Sequence, residues 1–150
     1  YNILIGLKTA EQIKKTLSDA MYDEDNEEEG DDILYVYGRN VITGLPSERG
    51  VSKDTIYEAI KQFFDDITDS IKNLLERTSP ELSADIIDTG IFLTGGSSSI
   101  KNLDKLIAKE TDLKVNTVEN AEDSVIRGIS IIMSDSRYRK LMYEPRESSF

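Results

Sequence analysis

Apolar residues recur at steps of three and four over one long stretch of the chain. Ile56, Ala59, Ile60, Phe63, Phe64, Ile67, Ile71, Leu74 and Leu75 share one face of a helix. The spacing predicts a helix over residues 53–77 that carries both Phe63 and Phe64 into a core. The helix is expected to begin after Ser52. Asp54 in the first turn and Arg77 near the end agree with the helix dipole. Pro80 suits the first turn of a second, shorter helix reaching about Ile87, and Gly90 closes it.

The flanking patterns are shorter. Ile3-Leu4-Ile5 is a brief apolar piece ended by Gly6. Thr9 with Gln12 three residues later reads as a capping box, opening a helix with a sparse apolar face of Ala10, Ile13 and Leu17. Ile33-Leu34-Tyr35-Val36-Tyr37 is rich in β-formers and predicts a strand. Gly38-Arg39-Asn40 reads as a turn, Val41 to Leu45 as a returning strand, and Gly44, Pro46 and Gly50 as loop punctuation. Ile91-Phe92-Leu93 is a continuous apolar run, so a buried strand is expected over residues 91–94. A helix with Ile100, Leu103, Leu106 and Ile107 inward follows, then a strand over 113–118. A last helix carries Val125, Ile126, Ile129, Ile132 and Met133, and a polar tail begins at residue 134. The class is mixed α/β.

Composition narrows the chemistry. The 150 residues contain no cysteine and no histidine. Disulfides, thiolate metal sites, Cys nucleophiles and Ser-His-Asp triads are therefore excluded. The net charge of −11 argues against nucleic acid, whose binders present cationic surfaces. Apolar residues at 38% and charged residues at 31% fit a soluble globular chain with no membrane span, and the N-terminus does not read as a secretory signal. Eight acidic residues crowd into positions 23–32. Such a block repels itself and predicts a solvated loop, and it lacks the ligand order of an EF-hand. No metal ligands and no catalytic residues are assigned.

Two features carry binding chemistry. The turn Gly95-Gly96-Ser97-Ser98-Ser99 lies between a predicted strand and a helix, where open α/β sheets collect ligands. Its glycines permit close approach, and its hydroxyls and amides can donate to phosphate or ribose oxygens. A plain tight turn with an N-cap would read the same. Glu11 and Lys14 share a helix face beside Lys15, which is equally the pattern of a surface ion pair.

Several runs in register resemble MreB-type bacterial actins of the actin-like ATPase superfamily. They are Asn2-Ile3-Leu4-Ile5-Gly6, Thr9-Ala10-Glu11-Gln12-Ile13-Lys14, Gly38-Arg39-Asn40 with Thr43-Gly44-Leu45-Pro46, Thr78 to Ile86, Gly90 to Gly96, and Leu103-Asp104-Lys105-Leu106 with Glu110-Thr111. The resemblance covers about residues 1–133. It implies part of an actin-like fold, namely the second large domain with a small α+β subdomain inserted. Residues 1–19 and 78–133 would form the nucleotide-binding subdomain, residues 20–77 the smaller insert with the acidic loop, and residues 134–150 the tail.

The same resemblance implies ATP as ligand, with Glu11, Gln12, Lys14 and Lys15 on one side of the adenosine and Gly95, Gly96, Ser97, Ser98 and Ser99 on the other. The family's phosphate hairpins and Mg²⁺ ligands have no counterpart in this chain, so it is read as the C-terminal portion and alone should not hydrolyse ATP. Head-to-tail self-association into cytoskeletal filaments is implied, in the cytoplasm. A weaker expectation is contact with the inner face of the membrane through Arg137, Arg139 and Lys140. Other actin-superfamily ATPases and a nucleotide-free interaction module are the alternatives. The sequence departs from the family at Ser97, where a third glycine is usual, and at Asn120-Ala121-Glu122-Asp123-Ser124, which replaces an Asp-Pro-Leu-Thr segment.

Overall fold

A computed structural model describes residues 2–23 and 32–141. Most of the acidic loop and the end of the tail lie outside the described residues. The order is β1 (Ile3–Leu4), α1 (Leu7–Leu17), β2 (Leu34–Asn40), β3 (Pro46–Val51), α2 (Lys53–Glu76), α3 (Pro80–Thr89), β4 (Ile91–Leu93), α4 (Leu103–Thr111), β5 (Val115–Thr117) and α5 (Ser124–Ser134). Short 3-10 turns fill Gly96–Ser99, Ala121–Asp123 and Ser136–Leu141.

The first sheet is antiparallel in the order β1-β2-β3. Gly38-Arg39-Asn40 is not its turn but the end of β2. At Gly38 a side chain would collide with the Leu4 carbonyl oxygen, so the glycine is what lets β1 pair there. The turn falls one step later. Asn40 Oδ1 accepts from the Ile42 and Thr43 amides at 2.8 and 3.0 Å, an Asx turn, and Gly44 takes φ +72°. The returning strand therefore starts at Pro46. Proline is tolerated as the first residue of an edge strand, where no ladder donor is lost.

Helix α1 begins at Leu7 after an extended Gly6. Thr9 lies inside the helix, so the capping box does not form. Leu7 and Lys8 are good helix formers and extend the N-terminal turn into solvent. Helix α2 matches its periodicity, and Ser52 Oγ caps it by accepting from the Thr55 amide at 3.4 Å.

Two cores meet along α2. The first joins Ile13 and Leu17 of α1 to Val36, Val51 and Ile56. The second gathers Ala20, Phe64, Leu103 and Ile107, with Ile60, Ile67, Ile71, Ile91, Leu93 and Val115 against it. Phe64 is 2% exposed, but Phe63 is 48% exposed. Consecutive helical positions diverge by about 100°, so one α2 face cannot bury both rings. Strand β4 pairs in parallel with β5. It is not fully buried: Ile91 and Leu93 face the second core while Phe92 is exposed. The α5 stripe is also uncovered, with Val125, Ile126, Ile129, Ile131 and Met133 all exposed. That helix packs mainly on the 3-10 turns at its two ends.

These burials separate the two phenylalanines. Phe64→Ala should cost about 3–5 kcal/mol in urea unfolding, as expected for a closed core site, and Phe63→Ala less than about 1 kcal/mol. Equal losses would show that both rings are buried.

Candidate functional site

A cleft of about 530 Å³ opens between the last turns of α1 and the segment after β4, lined by Glu11, Lys14, Lys15, Gly96, Ser97, Ser99, Ile100 and Glu122. This lies within the size range of small-molecule sites. Each wall has a local origin. On α1, Glu11 and Lys15 are four residues apart and pair at 3.1 Å. The Lys15 hydrogen bond holds the Glu11 carboxyl below the usual carboxylate range. Lys14 and Lys15 occupy the last turn of α1, where cations suit the helix dipole.

The opposite wall is a 3-10 turn. Gly95 adopts φ +86°, and its amide donates to the Ala121 carbonyl at 2.8 Å. That bond brings the turn Ala121–Asp123 to the rim of the cleft, and with it Glu122. A Cβ at Gly96 would meet no heavy atom within 4 Å apart from its chain neighbours, so the space directly above its backbone is open.

The residues singled out from the sequence are not all brought together. Gln12, one position beyond Glu11, turns away and lines a second hollow with Thr9, Ile13 and residues 34–37. Ser98 is half-buried and donates its hydroxyl to the Gly95 carbonyl at 2.7 Å, so it braces the turn instead of facing the cleft. Gly95 likewise sits behind the lining. Glu122 and Ile100 line the cleft without having been anticipated. Glu122 is distant in sequence, and only the Gly95–Ala121 hydrogen bond reveals its position. Phe63, displaced from the core, borders an adjoining hollow with Lys14, Ile60, Ser97 and Ile100.

Behind the cleft lies a buried carboxylate. Asp19 is 1% exposed. Its Oδ1 accepts from Asn102 Nδ2 at 2.7 Å and from the Met21 amide at 3.1 Å. Its Oδ2 lies 2.7 Å from Lys101 Nζ. Burial pushes the Asp19 carboxyl up, but the donors from Lys101, Asn102 and Met21 outweigh it and hold the group below its ordinary value.

Among the described residues no cluster of three acidic residues is placed to hold a metal ion, and no helix is long and apolar enough to cross a membrane. Arg137, expected to be available to a surface, is engaged with Asp135 at 2.6 Å.

Comparison with known proteins places this geometry. The family model for MreB/Mbl protein matches residues 1–140, continuing past Met133. The chain is 37% identical over 135 residues to the cell shape-determining protein Mbl of Bacillus subtilis, covering 90% of this chain and 39% of that protein. It is 36% identical over 128 residues to the cell shape-determining protein MreB of Escherichia coli, covering 85% and 35%. The crystal structure of MreB5 of Spiroplasma citri bound to AMPPNP superposes with a TM-score of 0.80 at 33% identity, over 94% of this chain and 40% of that one. The ADP-bound form gives 0.81 at 33% identity, over 94% and 41%. The chain thus spans about two-fifths of the length of these relatives.

The Asp19 environment gives a signed pH dependence. A folded-state pKa below the unfolded one contributes stability that is present at neutral pH and lost as pH falls through the folded value. Asp19→Asn should lower neutral-pH stability by about 1–3 kcal/mol. The gap from wild type should close on acidification below the ordinary carboxylate range. Thermal melts between pH 7 and pH 2 check this, and a gap independent of pH would contradict it.

Proposed function

The chain belongs to the MreB/Mbl family of bacterial actin homologues, and on that premise we propose that it supplies the adenosine-binding side of an ATP-dependent cell-shape filament subunit. The observation that carries this reading is the cleft. Glu11, Lys14 and Lys15 stand on one wall and Gly96, Ser97 and Ser99 on the other, in a chain that superposes on an AMPPNP-bound relative. The chemistry fits a nucleoside. A carboxylate accepts from ribose hydroxyls, lysine stems pack on a flat base, and a glycine leaves the base room to approach. Ser98 is left out of the contact set because its hydroxyl is bonded to the Gly95 carbonyl, and Gln12 because it lines the second hollow and not the cleft.

In this reading the chain is the second large domain of an actin-like fold. Residues 1–19 and 78–133 form its nucleotide-binding subdomain, residues 20–77 the inserted smaller one, and residues 134–150 the tail. The phosphates and Mg²⁺ are held by sequence that the relatives carry outside the matched part. Phosphoryl transfer needs those clamps and the metal, so this chain by itself binds nucleotide weakly and does not turn it over. Assembly is head to tail, which pairs two different faces of the subunit, and takes place in the cytoplasm. The match to MreB/Mbl supports this over a chaperone or sugar-kinase role.

The nucleotide reading is tested in a chimera in which this chain replaces the matched part of Bacillus subtilis Mbl. Calorimetric titration should show ATP binding. Gly96→Val should weaken it at least about tenfold, or about 1.4 kcal/mol, because a Cβ there meets no heavy atom within 4 Å beyond its chain neighbours and the branched side chain would extend into the space a ligand needs. Unchanged affinity would remove the cleft from the nucleotide site.

Assembly has its own test. The acidic residues 23–32 repel one another over about 8 Å at physiological ionic strength, so they should lie beside the filament contact and tune it by salt. Replacing them with a short Gly/Ser linker should lower the critical concentration for sedimentation at low salt and change it little at high salt. Equal critical concentrations at both would exclude a role for the loop.

A further inference from the structure

We propose that the clasp formed by Asp19, Lys101 and Asn102 is a positioning device that fixes the spacing between the two walls of the cleft, and through that spacing the affinity for nucleotide. The second half of this statement rests on the nucleotide reading above; the first half does not.

The placement is what matters. Asp19 lies two residues after Leu17, where α1 ends, and four after Lys15 on the first wall. Lys101 follows Ile100 directly and lies two residues after Ser99 on the second wall. The clasp therefore grips each wall just beyond its last lining residue. The backbones meet in a bridge between Asp19 and Lys101, with the Ala20 amide donating to the Lys101 carbonyl at 2.9 Å. The Asp19 carboxylate adds bonds to the side chains of Lys101 and Asn102 on one segment and to the Met21 amide on the other.

Asn102 takes a left-handed conformation, φ 59° and ψ 11°, immediately before α4. Asparagine is among the few non-glycine residues that adopt it readily. Its amide is held by Asp19, so the entry into α4 is oriented from the far side of the cleft. Ala20 and Leu103, the neighbours of the clasp along the chain, are both buried in the second core. The clasp is thus seated on packed side chains and cannot drift as a surface ion pair would. A buried carboxylate with three donors is costly to disrupt, since removing it leaves those donors unmatched.

The chain contains no cysteine, so two introduced cysteines give a unique label pair. Lys8→Cys on α1 and Lys105→Cys on α4 are exposed positions outside the cleft lining. Spin labels there report, by pulsed electron resonance, the separation of α1, which bears the first wall, from α4, which the clasp ties to it. A narrow distance distribution is expected for the otherwise unaltered chain. Asp19→Ala should broaden it, whereas Asp19→Asn, which keeps an acceptor for Asn102 and the Met21 amide, should retain most of the narrowness. Lys101→Met, at a side chain 54% exposed, serves if Asp19→Ala does not fold. It should broaden the distribution in protein whose circular dichroism shows the fold retained, and Lys101→Arg, which keeps the cation, should restore the narrow distribution, which loss of a merely structural contact would not require.

In the Mbl chimera, ADP affinity should follow the width, with about a tenfold loss for Asp19→Ala and a smaller one for Asp19→Asn. An unchanged distribution in folded Asp19→Ala or Lys101→Met protein would overturn the clasp, whatever the nucleotide result. A broadened distribution with undiminished ADP affinity would overturn its link to binding. If the unaltered chimera takes up no nucleotide, the nucleotide reading fails and the affinity half of the proposal fails with it, while the width still decides the positioning half.

Discussion

A single carboxylate with almost no exposed surface joins the two halves of this molecule. Asp19 is 1% exposed and is met by an ammonium, a side-chain amide and a backbone amide. Burying an ionised carboxylate is expensive unless it is paired and hydrogen-bonded, and here the donors come from both of the segments that must be joined. One donor is the chain just after α1, and the others are the two residues before α4. The position of α1 relative to the segment after β4 is therefore specified by directional bonds as well as by packing. Apolar contact alone is non-directional.

Around that link the packing is divided. Helix α2 serves both cores, giving Ile56 to the first and Phe64 with Ile60, Ile67 and Ile71 to the second. The ion pair of Lys72 with Glu110 at 2.6 Å ties the far end of α2 to α4. The cleft is walled by the end of α1 on one side and by the 3-10 turn after β4 with the Ala121–Asp123 turn on the other. In a chain of net charge −11, two lysines at the end of α1 make a local exception. Glu11 and Glu122 line the same cleft and offset them. The apolar stripe of α5 and the ring of Phe92 are exposed as well, and unlike the cleft they present no charged groups of their own.

The sequence by itself determined the elements whose signal is local. The nine apolar positions along α2 repeat with helical period, Asp54 and Arg77 suit its dipole, and Pro80 and Gly90 bound α3. The family resemblance was also legible, because it rests on ordered runs of residues and needs no coordinates. Periodicity of 3.6 and capping chemistry act within a few residues, so a linear reading recovers them. That reading also found Glu11, Lys14, Lys15 and the Gly96 turn as candidates, although spacing gave no reason to place them opposite one another.

What only the tertiary structure decided depended on contacts between distant residues. Gly38 belongs to a strand because Leu4, far away in sequence, approaches its backbone. Phe64 and not Phe63 is buried because α2 has one rotational setting between its two neighbours, and a helix step of about 100° separates adjacent side chains. Gln12 leaves the cleft and Glu122 joins it for similar reasons, the first by helix phase and the second by the bond from Gly95 to Ala121. Asp19 read as one more acidic residue in an acidic chain. Its burial followed from the meeting of α1 with the start of α4, and no local pattern encodes that meeting, because the three donors that make it tolerable come together only when the chain has folded.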